Sequence, residues 1–472
     1  MHFSYNKLLL YILLFVITCS SCKKFLDVGN PRDQIVAKYV YQSNTSAANV
    51  LTGIYFDLSQ QGSWAQGQYG FSAICALSAD ELVAFPTNYS LNGLYTNNFG
   101  GDGFWSLLYA AIYRTNAAIE GLSATTTLTP AVQKQLLGEA KFIRAFCYFY
   151  LVNLYGDVPI LTVSDYKVNA VATRSSAANV YKQIISDLQE AQNMLNDNYV
   201  DQDAITTTLE RIRPNKWTAT ALLARVYLYT SNWSAAATQA GMVIDNKSLF
   251  DTVALNDVFL KNSRETIWQL QPNYIVADFF NTLDARTFVL ENGPDESEHP
   301  FWVSHFLLDE FENGDQREVN WIAVDSSTGI AYYFPFKYKL YKPEDPQGEY
   351  LMVFRLAEQY LIRAEARAQL GQLGDARLDL DVIRRRAGLN ATTASTKEPL
   401  LATILHERHV ELFTEWGHRW LDLKRTGMVN TVMAEVTPQK GGTWQSYKQL
   451  YPLPFGDLQL NPNLIQNEGY SH

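Results

Sequence analysis

Apolar side chains recur at steps of three and four along most of this chain, the spacing that gathers them on one side of a helix. The clearest stretch is 129–156, where Leu136, Ala140, Ile143, Cys147, Leu151 and Leu154 form the stripe. Thr129 can cap its start, Pro130 fits a first turn in which no amide is needed, and Gly156 can supply the stop. Residues 104–122 carry Leu107, Leu108, Ala111, Ile112 and Ile119 on one side, so the short turn between the two stretches predicts an antiparallel helical hairpin. The pattern returns at 176–196 (Val180, Ile184, Leu188, Leu195), 215–230 (Ala219, Leu222, Leu223, Val226, Tyr227) and 233–245 (Ala236, Ala240, Ile244). It returns again at 350–370 (Ala357, Leu361, Ala364, Ala368) and 375–387 (Ala376, Leu380, Ile383, Ala387), with Gly371 and Gly388 as stops. Small alanines facing Leu or Tyr are how tetratricopeptide-like hairpins stack. AEARAQLGQLGDARLDLDVI (364–383) fits best, while the other pairs are degenerate and dispersed rather than tandem. The predicted fold class is mainly α, built on such helix pairs.

The helical period fails in two regions. Residues 60–103 read as an irregular loop rich in Gly, Ser, Asn and aromatics, and 266–345 as irregular chain with short strands at 266–271 (TIWQLQ) and 331–338. Long loops in a compact protein are usually functional or disordered, and their aromatic density argues against disorder.

The N-terminus has a different pattern. Lys7 precedes an uncharged apolar run, Leu8 to Thr18, that is short of the ~20 residues a spanning helix needs. The run has the form of a secretory leader. Ser20 and Ser21 before Cys22, with Lys23 and Lys24 directly after, point to cleavage before Cys22 and acylation on it; Cys19 is the alternative. Each buried acyl CH₂ adds ~0.8 kcal/mol of membrane affinity, so several chains anchor a protein durably. The expected organisation is a leader over 1–21, a lipidated tether over 22–43 and a single domain over 44–472. That domain has an N-terminal part of about 44–250 and a C-terminal part of about 251–472.

Composition narrows the function. The net charge is −10, and Lys7 leaves with the leader, so nucleic acid is not an expected partner. Beyond Cys19 and Cys22 only Cys75 and Cys147 remain, which is no disulfide framework and no metal knuckle. No GxSxG, GxxxxGK[ST] or GxGxxG motif occurs. His406-Glu407-Arg408-His409 lacks the HExxH spacing of a zinc helix and reads as a solvated helix face. Glu407, Glu411 and Glu415 stack on one helix side; a glycosidase needs carboxyls facing each other across a cleft, so an ion-pair row neutralised by Arg408, Arg419 and Arg425 is the better reading. No cofactor is predicted, although the acidic stretches 197–203 and 309–315 could hold calcium. An enzyme is therefore not expected; a surface glycoside hydrolase and a pure interaction scaffold built on the helical hairpins are the competing readings.

The aromatic loops suggest binding instead. A neutral sugar presents C–H faces that stack on aromatic rings, ringed by hydroxyls that need amide, carboxylate or guanidinium partners. Asp80, Asn88, Tyr89, Asn92, Tyr95 and Asn97 form such a set in one loop, although loop aromatics are more often anchors in a core.

The ordered set of motifs resembles the SusD/RagB family of outer-membrane nutrient-binding lipoproteins. It comprises SCKKFLD (21–27), SADE (78–81), GEAKFIRAFCYFYLVNLYGDVPIL (138–161), RLAEQYLIRAEARAQLG (355–371), VIRRRAGL (382–389), ERHVELFTEWGHRWLDLKRTG (407–427) and YPLPFGDLQLNPNLIQNEGY (451–470). The resemblance implies non-enzymatic capture of oligosaccharide, or in some members peptide. It also implies a SusC-like TonB-dependent β-barrel partner over which the lipoprotein sits as a hinged lid. Asp80 matches a sugar-contacting carboxylate, whereas Asn88 stands where the family has a basic residue. No tryptophan lies between Trp64 and Trp105, so stacking in this loop falls to Tyr89 or Tyr95. A second aromatic wall is expected from 272–302, with Tyr274 and Trp302 as candidates.

Overall fold

The computed structural model describes residues 37–470 apart from 61, 63, 100–102 and 274–279. Cys22 and Tyr274, and with them the lipidation and one wall residue expected above, lie outside the described residues.

The helical hairpins form where the period placed them. Helix α1 (Asn44–Ser59) is followed by α2 (Phe71–Ser78), strand β1 (Leu82–Ala84) and α3 (Tyr89–Tyr95). Next come the hairpin α4 (Phe104–Ala124) and α5 (Pro130–Tyr155), then α6 (Ala177–Met194), α7 (Lys216–Tyr229) and α8 (Trp233–Asp245). Gly156 ends α5 at φ +74°, a conformation that costs glycine no Cβ clash. A glycine also sets a helix spacing: a Cβ on Gly138 of α5 would stand 2.9 Å from Leu195 Cγ, just past α6. Asn215 begins α7 with a capping box, its side chain accepting from Thr218 N at 3.1 Å.

The C-terminal half opens with strands. β2 (Thr266–Leu270), β3 (Phe301–Val303), β4 (Ile322–Asp325), β5 (Tyr332–Pro335) and β6 (Leu351–Arg355) make three antiparallel pairs: β1 with β3, β2 with β6, and β4 with β5. Helices α9 (Leu356–Gln369), α10 (Leu373–Arg386), α11 (Lys397–Leu412), α12 (His418–Arg425) and α13 (Val429–Gln439) complete the scaffold. The helix expected from 350 starts only at Leu356. The apolar run LMVFR is fully buried against β2, and a short apolar run does not by itself distinguish a buried strand from a helix.

The loop expected over 60–103 is also more ordered than its composition suggested. FSAICALS forms α2 and is buried at every residue, so no polar face marks its period. The centre of the core is aromatic. Trp416 packs 5.6 Å from Phe146, 5.9 Å from Tyr150 and 6.0 Å from Trp64, and Trp268 lies 5.3 Å from Phe146. Cys75 and Cys147 are both buried in the core.

The glutamate row is an ion-pair network, but it is buried rather than solvated, and its arginines are not those nearest in sequence. Arg317 pairs with Asp315, Glu407 and Glu411. Arg355 pairs with Glu265, Glu411 and Glu415. Arg384 reaches Glu312 and Glu407, and Arg386 reaches Glu265 and Glu411. Arg408 and Arg425 instead hold Asp422, and Arg419 holds Asp80.

Candidate functional site

The β1–β3 pair brings the two aromatic regions of the sequence together. Val83 lies opposite Trp302, and both are half-buried between fully buried neighbours, so they share the outward side of the pair. The chains run on side by side: Phe85 N donates to Pro300 O at 2.8 Å, and Asn88 Nδ2 donates to Glu296 O at 3.0 Å. The Trp302 ring meets Tyr332 of β5 edge-on, with centroids 5.4 Å apart. Phe336 and Tyr341, also half-buried, pack on the small apolar cluster of Val289, Leu290 and Phe334 beneath. Tyr89, at the first position of α3, is 87% exposed.

The candidate residues divide on this seam. Trp302 and Tyr89 present aromatic surface. Asn88 caps α3, accepting from Leu91 N at 3.2 Å, so both ends of its amide are committed to backbone. Asn92 donates to the carbonyls of Pro86 and Phe85. Asn97 is buried between Ser78 O and the Thr437 hydroxyl. Tyr95 is half-buried, its ring 4.9 Å from Lys440 Nζ. These residues shape the loop more than they line its surface.

Asp80 departs furthest from expectation. It is buried, and Arg419 grips both of its oxygens, with Nε 2.9 Å from Oδ1 and Nη2 2.5 Å from Oδ2. Burial opposes its ionisation, but Arg419 and the other nearby cations outweigh that and hold its carboxyl well below the usual range. Its neighbour Glu81 goes the other way: burial, then the Asp80 charge, push it up to about 8. Lys440, buried and donating to the carbonyls of Leu77 and Ala79, is pushed down to about 7 by desolvation. Asp80 thus anchors the root of the loop and does not reach its open side. Sequence spacing held no signal for this, because Arg419 lies 339 residues away.

A family model described as starch-binding and associating with the outer membrane matches residues 24–228, and one described as the SusD family matches residues 308–470. The chain belongs to the SusD/RagB family. A SusD-like protein of Formosa agariphila, P25, is 27% identical to it, the alignment covering 98% of this chain and 99% of the relative. The starch-binding protein SusD of Bacteroides thetaiotaomicron is 39% identical over 123 residues, which is 25% of this chain and 21% of that protein. Among solved structures, a SusD-superfamily protein of Bacteroides vulgatus superposes with a TM-score of 0.78 at 21% identity, covering 91% of this chain and 100% of the other. The α-rich SusD-like fold is thereby established.

Several of the carboxylates that the sequence singled out are committed to structure on this SusD-family scaffold. Asp80 and Glu81 are buried, and Glu407, Glu411 and Glu415 sit among arginines. Near the seam, Asp295 accepts from the amides of Ser297 and Glu298, and Asp325 accepts from the Gly293 amide and the Ser327 hydroxyl. Within the acidic stretches considered for calcium, Asp197 pairs with Lys216, Asp203 accepts from Thr206, and Asp315 pairs with Arg317. His406 pairs with Glu310, its Nε2 3.3 Å from Oε2. Among the described residues no helix is long and apolar enough to cross a membrane.

Proposed function

We propose that this protein captures oligosaccharide at the bacterial surface without transforming it, the seam between β1 and β3 providing the ligand face. The observation that carries the reading is Trp302, held half-open opposite Val83 and edge-on to Tyr332, beside a loop that exposes Tyr89. Rigid rings with one accessible face suit the C–H faces of sugars. The family model's starch-binding description and the starch-binding relative support the ligand class.

In this reading Cys22 carries the lipid that tethers the protein to the outer membrane, and a SusC-like TonB-dependent barrel receives the ligand. No catalytic step is included, because the carboxylates considered for one are neutralised by arginines or held in turns. Calorimetry against a panel of neutral oligosaccharides tests the proposal. Trp302→Ala and Tyr89→Ala should each weaken binding by roughly three- to tenfold, the range for a stacked ring, with the melting temperature little changed. Affinity unaltered in the double variant, or product released on incubation, would overturn it.

A further inference from the structure

A second cleft lies on elements that take no part in the β1–β3 seam. It has a volume of about 380 Å³ and is walled by α1, by the hairpin of residues 200–207 and by the end of β2. That size is within the range of small-molecule sites.

Its floor is a preformed polar set. Glu139 is fully buried and accepts from the Tyr55 hydroxyl at 2.8 Å, from Gln135 Nε2 at 3.0 Å and from Arg213 Nε at 3.1 Å. Arg213 Nη1 donates to Thr52 Oγ1 at 3.0 Å. The hairpin wall is fixed independently. Asp201 N donates to Thr206 O at 2.8 Å, Thr208 N donates to Tyr199 O at 3.0 Å, and Asp203 accepts from the Ile205 and Thr206 amides. A wall held this way has little freedom left to lose on binding.

The charge balance selects the ligand. Glu139 cancels the one arginine at the floor, and Glu210 is paired with Lys261 at 3.0 Å. Asp201, exposed at the rim, is the charge left over. An anion would find no uncancelled cation here, so phosphates and uronates are excluded. What remains is hydroxyl and amide lining from Thr208, Ser59 and Gln202, beside the half-buried rings of Tyr55 and Phe56. These are the partners of a neutral polyol: acceptors and donors around its hydroxyls and an aromatic face for its C–H side.

We propose that this cleft is a second saccharide subsite, taking a neutral mono- or disaccharide independently of the β1–β3 seam. The ligand class rests on the glycan-capture reading; the location does not. The test is calorimetry of the purified protein with maltose, cellobiose and laminaribiose, using Phe56→Ala and Asp201→Asn as cleft variants and Trp302→Ala as the seam control. At least one disaccharide should bind, weakened roughly three- to tenfold by Phe56→Ala and unaffected by Trp302→Ala. Saturation-transfer NMR in the presence of the Asp201→Asn variant should show the same loss.

The proposal fails if none of the three binds at about 10 mM, a concentration that reveals even millimolar dissociation constants. It also fails if their binding follows Trp302→Ala alone, or if glucose 6-phosphate binds the cleft better than glucose. The two readings separate cleanly. Longer oligosaccharides that bind and respond to Trp302→Ala, with disaccharides that do not bind, would leave the seam standing and remove the cleft.

Discussion

At the scale of single residues, a carboxyl buried at the root of the loop after α2 makes stability depend on pH. Glu81 titrates near 8 in the folded chain, against an ordinary carboxylate value of 4.5 in the unfolded one. Between those values the unfolded chain has shed the proton that the folded chain keeps, so stability falls as pH rises through this window. Glu81→Gln removes that proton and keeps an oxygen for Thr414 N, which Glu81 Oε2 accepts at 3.2 Å. The variant's melting temperature should therefore gain on the wild type steadily from pH 5 to pH 8; a gap that stays constant with pH would contradict the assignment. A second residue-scale prediction concerns Arg355. Its guanidinium serves three buried carboxylates, and removing one partner of a buried pair strands the others, at a cost of about 3–5 kcal/mol. Urea unfolding of Arg355→Ala should show that loss. Arg264→Ala, at an exposed pair with Asp251, should cost under about 1 kcal/mol. The four-residue spacing made an ion-pair row legible for Glu407 and Glu411 on α11, whereas Glu415, expected on the same helix side, joins the network from beyond the helix end at Leu412. The arginine partners were not legible, because Arg317, Arg355, Arg384 and Arg386 arrive from other parts of the chain.

At the scale of elements, legibility followed length and amphipathicity. Helix α5 and its hairpin partner were readable within two residues at each end, since a long apolar stripe with caps has few alternative explanations. Among the elements that the sequence pattern missed, two were buried on every side: α2, with no polar face to reveal its period, and β6, whose apolar run ends directly in α9. The site divided in the same way. Tyr89 and Trp302 could be nominated as aromatics in loops, but their alignment along one seam depends on the β1–β3 register, and the burial of Asp80 depends on α12. Packing between elements also depends on a missing side chain. Gly138→Val would drive new methyls into Leu195 and Met194, whose atoms stand 2.9–3.0 Å from a Cβ there. Overpacking of this kind costs about 1–3 kcal/mol, and thermal unfolding of the variant should report it; a neutral outcome would mean that α6 shifts freely against α5.

At the scale of the whole molecule, the C-terminal stretch closes the structure by returning to the first hairpin. Tyr451 N donates to Leu154 O at 2.8 Å, Asn467 Nδ2 reaches the carbonyls of Tyr155 and Tyr451, and Arg174 binds both Ile465 O and the Asn467 side chain. A chain ended at residue 450 leaves the end of α5 without these partners. Limited proteolysis should then cut near residues 156–175 at protease levels the full chain withstands, and equal resistance would show that the tail is dispensable. The bond between Asp80 and Arg419 has a further effect, on timing. Residue 80 leaves the ribosome 339 residues before its partner exists. The loop that leads from Asp80 to Tyr89, encoded in the first quarter of the message, therefore cannot be anchored at its root until translation has almost finished, and a nascent or prematurely terminated chain carries Tyr89 without that anchor.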